Sequence, residues 1–340
     1  MNAPAWVQGI IVDGLIGGVG MVITFLPILV IFFATMGLLE DIGYMARAAY
    51  VMDRFMHLMG LHGKSFLPLF LGFGCNVPAI MGARVVESKR ARLLTIMLAP
   101  LMPCTARMVV VTFLTPIFFG SAATLVSWGL VGLSLVVLAL MGILINTFLL
   151  RGERAAFIME LPLYHIPNWR TIGLLVWQHS LAFLKKAGTL ILVMAVIVWA
   201  LSYWPGGDVE TSFLARFGHL LEPIGALMGM SWRMLVALLA SFVAKENSLA
   251  TLGVLYGTSG ETSGLAEAVR MAFTPATALA FLVVQMLFVP CVATVATMWQ
   301  ETRSVRWTLF NLILLLVVSF SAGIVVYQVL ELSLIHISEP

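Results

Sequence analysis

Long apolar runs broken by short polar stretches set the pattern of this chain. Leu15 to Leu39 is about 25 apolar or small residues and ends at Glu40-Asp41. With a rise of about 1.5 Å per residue, such a run crosses a hydrocarbon core of about 30 Å. The next stretch, GYMARAAYVMDRFMHLMG, repeats apolar residues at helical spacing and puts Arg47, Asp53, Arg54 and His57 on other faces, which predicts a surface amphipathic helix. Phe66 to Ala83 is apolar but holds Pro68, Gly72, Gly74 and Pro78. Such breaks free backbone groups that lipid cannot satisfy, so a re-entrant, broken segment is expected there. Further spans are predicted over Leu93–Phe119, Ala122–Leu149, Ala187–Trp204, Met234–Tyr256, Thr274–Trp299 and Trp307–Leu330, for a total of seven crossings and one re-entrant piece. Glu160 to Gly188 predicts a Pro-broken extended piece and then an interfacial amphipathic helix carrying Lys185 and Lys186. The tail Leu332 to Pro340 continues neither the span nor a recognisable domain and is set aside as a sequence-assembly scar, His336 with it.

The basic residues test this topology. If 66–83 re-enters, the loops at 40–65, 83–92, 150–186 and 257–273 share a side and hold 13 Lys and Arg, against 4 at 120–121, 205–233 and 300–306. A straight crossing lowers the contrast to 10 against 7. The positive-inside rule therefore prefers re-entry, with the basic loops in the cytoplasm, the amino terminus outside and the carboxyl terminus inside.

Composition agrees. With 61% apolar residues, 10% charged residues and a mean hydropathy of +1.04, the chain cannot fold as one water-soluble core. A polytopic, all-α membrane helix bundle with lipid as its surroundings is expected. The net charge of +3 reflects loop lysines and arginines, and no nucleic-acid partner is implied. GLHGKS at 60–65 lacks the first glycine of a phosphate-binding loop, so no nucleotide site is read from it. No HExxH zinc motif and no patterned Ser–Lys or Asp pair supports an intramembrane protease, and the chain is read as a non-enzyme.

A weak internal repeat aligns Pro103-Cys104-Thr105-Ala106 with Pro290-Cys291-Val292-Ala293, and LFLGFGCN with LLASFVAKEN. Paired units with broken helices are a common way to build a transport site at the midplane.

Several motifs carry a family resemblance: EDIGYMARAAYVMDR, GFGCNVPAIMGAR, ESKRARLLTIMLAPLMPCTAR, ELPLYHIP, FVAKE and FVPCVATVATMWQE. In this order they resemble the membrane domain of the FeoB ferrous iron transporters, from about Asp13 to Leu330. The resemblance implies two gate-type units: 1–119 as the first (span, amphipathic helix, re-entrant segment, span), 120–186 as a middle span and interfacial segment, 187–306 as the second unit, 307–331 as the final span and 332–340 as the tail. It also implies Fe2+ as the transported ion, a multi-pass bacterial inner-membrane location, and small cytoplasmic Feo accessory proteins as partners, with homo-oligomerisation left open. GTP enters only through a domain that this sequence lacks, as it lacks that family's first span, and no cofactor is expected within the chain.

Ferrous iron accepts thiolate, carboxylate, carbonyl and imidazole donors, so thiols beside broken backbone are the first candidates. They are Cys75, Cys104 and Cys291, with Asn76 beside the first. Cys75 and Cys291 are expected to face each other at the repeat interface, and Cys104 to turn into packing beside Arg107. Glu246 is the carboxylate expected deep in a span, beside Lys245, and Glu40 and Asp41 form a candidate ion vestibule. The bland alternatives are inert packing for each Cys and a structural ion pair for Lys245-Glu246. An organic-solute transporter, for example of nucleosides, is the other functional reading, and it calls for aromatic and amide groups in place of thiols.

Overall fold

The computed structural model describes residues 17–149, 164, 166–204, 212–256 and 262–338. The described residues form helices and connecting turns with no strand, an all-α bundle. By length and composition, the stretches Lys89–Phe148, Pro275–Thr302 and Val305–Leu332 can cross a membrane.

α1 (Gly17–Asp41) leads into α2 (Tyr44–Leu58), the amphipathic helix expected there. α3 (Phe66–Leu71) and α4 (Asn76–Gly82) follow. A straight helix would separate residues 68 and 82 by about 21 Å. Instead a Cβ on Gly82 would lie 3.8 Å from Pro68 Cα, so the two short helices fold back as a hairpin with its tip at Gly72–Cys75. Lys64 pairs with Glu87 across the hairpin's open end, so the segment enters and leaves on one face. The tip rests on α1 closely enough that a Cβ on Gly74 would stand 2.2 Å from the Phe32 ring.

α5 (Lys89–Leu98) and α6 (Thr105–Phe119) make one crossing interrupted at Met102–Cys104. α7 (Ala123–Phe148) runs antiparallel along both halves, joined by Arg90–Asn146, Ser134–Leu101 and Thr115–Ser127 hydrogen bonds. α8 (Trp169–Phe183) continues through a π-helical turn into α9 (Thr189–Tyr203). α8 does not lie flat as expected of an interfacial helix. Asn168 donates its amide to Asp41, Ile172 and Leu175 pack on Gly37, and His179 stacks on Phe33, so α8 runs antiparallel along α1. Most of the preceding Pro-broken piece, including 160–163 and 165, lies outside the described residues.

The second half repeats the plan and corrects the expected topology. α10 (Phe213–Ala226) packs on α11 (Trp232–Ala240), which is followed by α12 (Asn247–Leu255). Met234–Tyr256 is no straight crossing. The Arg233 guanidinium lies 5.3 Å from the Tyr256 ring centre, where a continuous helix would hold the two backbones about 35 Å apart. This is a second hairpin, with its tip at Ser241–Glu246. α13 (Thr262–Ala272) precedes α14 (Pro275–Leu287) and α15 (Val292–Thr302), a crossing interrupted at Phe288–Cys291 and backed by α16 (Val305–Ser338). α16 continues helically through Ser338, so most of the tail set aside above belongs to it; no Pro interrupts it before Pro340.

The two halves are inverted. Arg84 and Arg92 pair with Glu301, which puts the open end of the first hairpin and the end of α15 on one face. Phe118 and Tyr256 both contact Phe273, which puts the end of α6, the open end of the second hairpin and the start of α14 on the other face. The expected sides of 257–273 and 300–306 are thus exchanged. Gly229 against Tyr327 shows that the late part of α16 shares the second hairpin's face, so its carboxyl end is not on the side predicted. Single cysteines at Lys89 and Arg303 should therefore be labelled from the same face of the membrane, and one at Glu267 from the opposite face. Labelling of 303 and 267 from one face would overturn this arrangement.

Candidate functional site at the hairpin tips

Each interrupted crossing has to place the carbonyls freed where its helical ladder stops. Arg107, on the first turn of α6 and fully buried, donates from Nη1 to Pro100 O (2.7 Å) and Met102 O (3.3 Å), and from Nη2 to Phe288 O (2.7 Å). One guanidinium thus closes both breaks, since Pro100 and Met102 belong to the first crossing and Phe288 to the second. Lys245, at the second hairpin's tip and 3% exposed, donates to Val289 O and lies over the Phe288 ring at 4.9 Å. Gln285 donates to Lys245 O (3.1 Å) and Ser248 Oγ (3.3 Å), fixing the tip from behind.

The hairpin tips dock on the starts of the second half-helices. Thr105 N and Oγ1 donate to Gly74 O, and Val292 N donates to Phe242 O at 2.7 Å. Thr105 and Val292 are the positions that follow Pro-Cys in the internal repeat, so each unit docks its tip in the same way, with the acceptor one residue earlier in the second unit. Cys75, Cys104 and Cys291 each sit in extended backbone immediately before a half-helix, α4, α6 and α15.

These contacts decide which candidates meet. Cys75 and Cys291 pack around Val77 and Ala293 and are half-buried, whereas Cys104 is buried. Cys104 and Glu246 are also within electrostatic reach of Cys75. Cys291 Sγ lies 3.1 Å from Thr294 Oγ1. Asn76 is buried and points elsewhere: with its nitrogen assigned by its surroundings, its amide donates to Ala99 O (3.1 Å) and Gly72 O (3.2 Å), tying the first tip to the first break. Glu40 and Asp41 are apart from the thiols. Asp41 accepts from Asn168 N at 2.7 Å. Glu40 lines a separate cavity of about 260 Å³ between α1, the first hairpin and α8, along with Arg84, Met81 and His179.

The expectation that sulfur and free carbonyls stand together is corrected in one respect. The carbonyls of Gly74, Pro100, Met102, Phe242, Phe288 and Val289 already accept hydrogen bonds from the protein. Beside these occupied carbonyls stand the three thiols and the Glu246 carboxylate. Among the described residues no group of three or more His, Cys, Asp and Glu is set to hold a metal ion.

In the sequence Arg107 enters only as the packing neighbour of Cys104. Its partners lie up to 181 residues away, and no local signal announces them. Arg107→Met should leave three buried carbonyls without a donor and lower stability by about 3 kcal/mol. Arg107→Lys should recover only part of this, because a point charge cannot reach both breaks as a fork does. Thermal unfolding in detergent checks both, and a wild-type midpoint for Arg107→Met would refute the clamp.

Comparison with known proteins follows the same plan. The Gate family, described as nucleoside recognition, matches residues 22–118 and 184–304, and the family of the ferrous iron transport protein B carboxyl terminus matches 127–179. The chain is 40% identical over 332 residues to the Fe(2+) transporter FeoB of Staphylococcus aureus, covering 95% of this chain and 49% of that protein. It is 36% identical over 375 residues to the Fe(2+) transport protein A/Fe(2+) transporter FeoB fusion protein of Porphyromonas gingivalis (95% and 44%). It is 34% identical over 333 residues to the Fe(2+) transporter FeoB of Methanocaldococcus jannaschii (94% and 49%). The chain spans about half the length of these relatives. No solved structure matches it. On these matches and on its paired hairpins and broken helices, the chain belongs to the Gate family and is a partial-length FeoB-type membrane domain.

Proposed function

We propose that this chain forms the membrane pathway for Fe2+, acting as a transporter and not as an enzyme, with Cys75, Cys291 and Glu246 as the groups the ion meets at the midplane and Cys104 behind them. The observation that carries the reading is the meeting of two hairpin tips and two broken helices from inverted halves, where every freed carbonyl named above is occupied and sulfur and one carboxylate remain. Soft and borderline cations take such donors, and ligands too few to enclose an ion let it leave, as flux requires. The printed names of the relatives support Fe2+ as the ion, and the fusion relative supports a small accessory protein as partner. A nucleoside reading is not favoured. The Asn76 amide that could read a base is bound to Ala99 and Gly72, and the Phe288 ring is covered by Lys245.

Sidedness supports a multi-pass protein of the bacterial inner membrane. Arg47, Arg54, Lys64, Arg84, Lys89, Arg90, Arg92, Arg170, Arg303 and Arg306 belong to the face where the first hairpin opens, and Arg216, Arg233 and Arg270 to the other. By the positive-inside rule the first face is cytoplasmic, and the contrast is sharper than the nine against four that the same residues give with Met234–Tyr256 drawn as a crossing.

The test is ferrous uptake by the full-length protein in cells or vesicles. The Cys75→Ser, Cys291→Ser double variant should lose about tenfold in rate with insertion intact, since a hydroxyl is a weaker donor to this ion. Glu246→Gln should also slow uptake, by removal of the carboxylate at the tip. Met97→Leu, in the packed core, should be silent. Full uptake by the double Ser variant would return the thiols to packing.

A further inference from the structure

α4 and α15 lie side by side, parallel and in register. Both begin at a thiol, Cys75 and Cys291, and pack through Val77 and Ala293. Seven residues beyond Val77 and eight beyond Ala293 they reach Arg84 and Glu301, which are hydrogen-bonded to each other. The seam between the two half-helices thus runs from the thiols to the face read above as cytoplasmic, and an ion pair stands at its end.

That ion pair is built differently from an ordinary surface contact. Arg84 meets both carboxylate oxygens of Glu301, Nε at 3.0 Å from Oε1 and 2.9 Å from Oε2, with Nη2 also on Oε1. Arg92, from the start of α5, adds Nη2 to Oε2 at 3.1 Å. The Glu301 side chain is only 4% exposed, although Arg84 is 61% exposed and Arg92 35%. A carboxylate covered by two guanidinium groups, one of them bidentate, belongs to the stronger class of ion pairs, while the solvent around the arginines keeps the contact breakable. It also joins the two inverted halves, since Arg84 and Arg92 belong to the first and Glu301 to the second.

We propose that Glu301 is the cytoplasmic gate of the α4–α15 seam: clamped by Arg84 and Arg92 it closes the way out, and released from them it is the first carboxylate to receive the cation leaving the thiols. A divalent cation and two guanidinium groups compete for the same two oxygens, so occupation by the ion and closure by the arginines exclude each other. Opening separates the ends of α4 and α15 without disturbing the Arg107 clamp at the midplane. The proposal rests on the thiol pathway above for the identity of the cargo, but its test does not.

The test reads access, not transport. In inside-out vesicles carrying the full-length protein, a membrane-impermeant maleimide should alkylate Cys75 and Cys291 slowly, as followed by mass spectrometry of the two peptides. Glu301→Gln should speed this about tenfold from the cytoplasmic face and leave labelling from the opposite face unchanged, as a shift in a two-state opening equilibrium requires. Arg84→Ala, at a largely solvated side chain, carries the same expectation should Glu301→Gln fold poorly. Exchanging the charges, Arg84→Glu with Glu301→Arg, should bring the rate back towards wild type. Unchanged labelling in both single variants would overturn the gate, and so would equal acceleration from both faces, which is general loosening. Faster cytoplasmic labelling alongside full uptake by the double Ser variant would uphold the gate while removing the thiols from the pathway.

Discussion

The buried contact between Arg107 and the carbonyls of two different helices is the constraint on which the rest of this structure depends. A helix interrupted inside a membrane leaves carbonyls that neither lipid nor water can reach, and each costs several kcal/mol if unpaired. Here the chain brings two interruptions together and gives both to one guanidinium, with Lys245 taking the next carbonyl along. The breaks fix where the second half-helices start, those starts fix where the hairpin tips dock through Gly74 and Phe242, and the tips fix where Cys75 and Glu246 stand. The site is therefore a consequence of how the backbone is satisfied.

Inversion follows from the same economy of contacts. For one side chain to reach both breaks, the two crossings must pass each other at the depth of their interruptions, and antiparallel crossings do this with both units built alike. The hairpins then enter from opposite faces, each resting on the broken helices near the middle. The open ends are pinned by side chains suited to water: Lys64–Glu87 and the Arg84–Glu301–Arg92 cluster on one face, and Arg233 over Tyr256 on the other. Long straight helices, α7 and α16, back the broken ones and present much of their apolar surface outward, for example Leu125, Leu140, Ile313 and Val325.

Much of this was legible in the sequence where the cause is local. Pro68, Gly72, Gly74 and Pro78 point to the first hairpin because of their spacing: each Pro sits in the first turn of a short helix, and the two glycines lie at the tip between them. The second hairpin turns at Ser241–Glu246 with no Pro or Gly between Trp232 and Thr251, so the apolar run read as a straight crossing. Its turn is imposed by tertiary contacts, the Phe242 carbonyl on Val292 and the Lys245 ammonium on Val289, which become visible only when α15 is in place. Cysteine at each break could be read directly. That the neighbouring carbonyls are already taken could not, because their partners are distant in sequence, and the same holds for Asn76, which looked like a ligand beside Cys75 and instead ties two backbone segments together.

The electrostatics of the midplane bear on what such a site can do. The starts of α6 and α15 present backbone amides, the positive end of a helix, and the carbonyl ends of the opposing half-helices are covered by Arg107 and Lys245. The Arg107 guanidinium and the two amide ends thus make the breaks electropositive, which raises the cost of placing a cation there. On the proposed pathway, sulfur at Cys75 and Cys291 and the carboxylate of Glu246 offset that cost, and they are too few to create a deep well. A cation that is tolerated but not held can pass, whereas one held by a full set of carbonyls and carboxylates would stay. On that reading, the buried guanidinium that satisfies the broken backbone also keeps the site from becoming a trap.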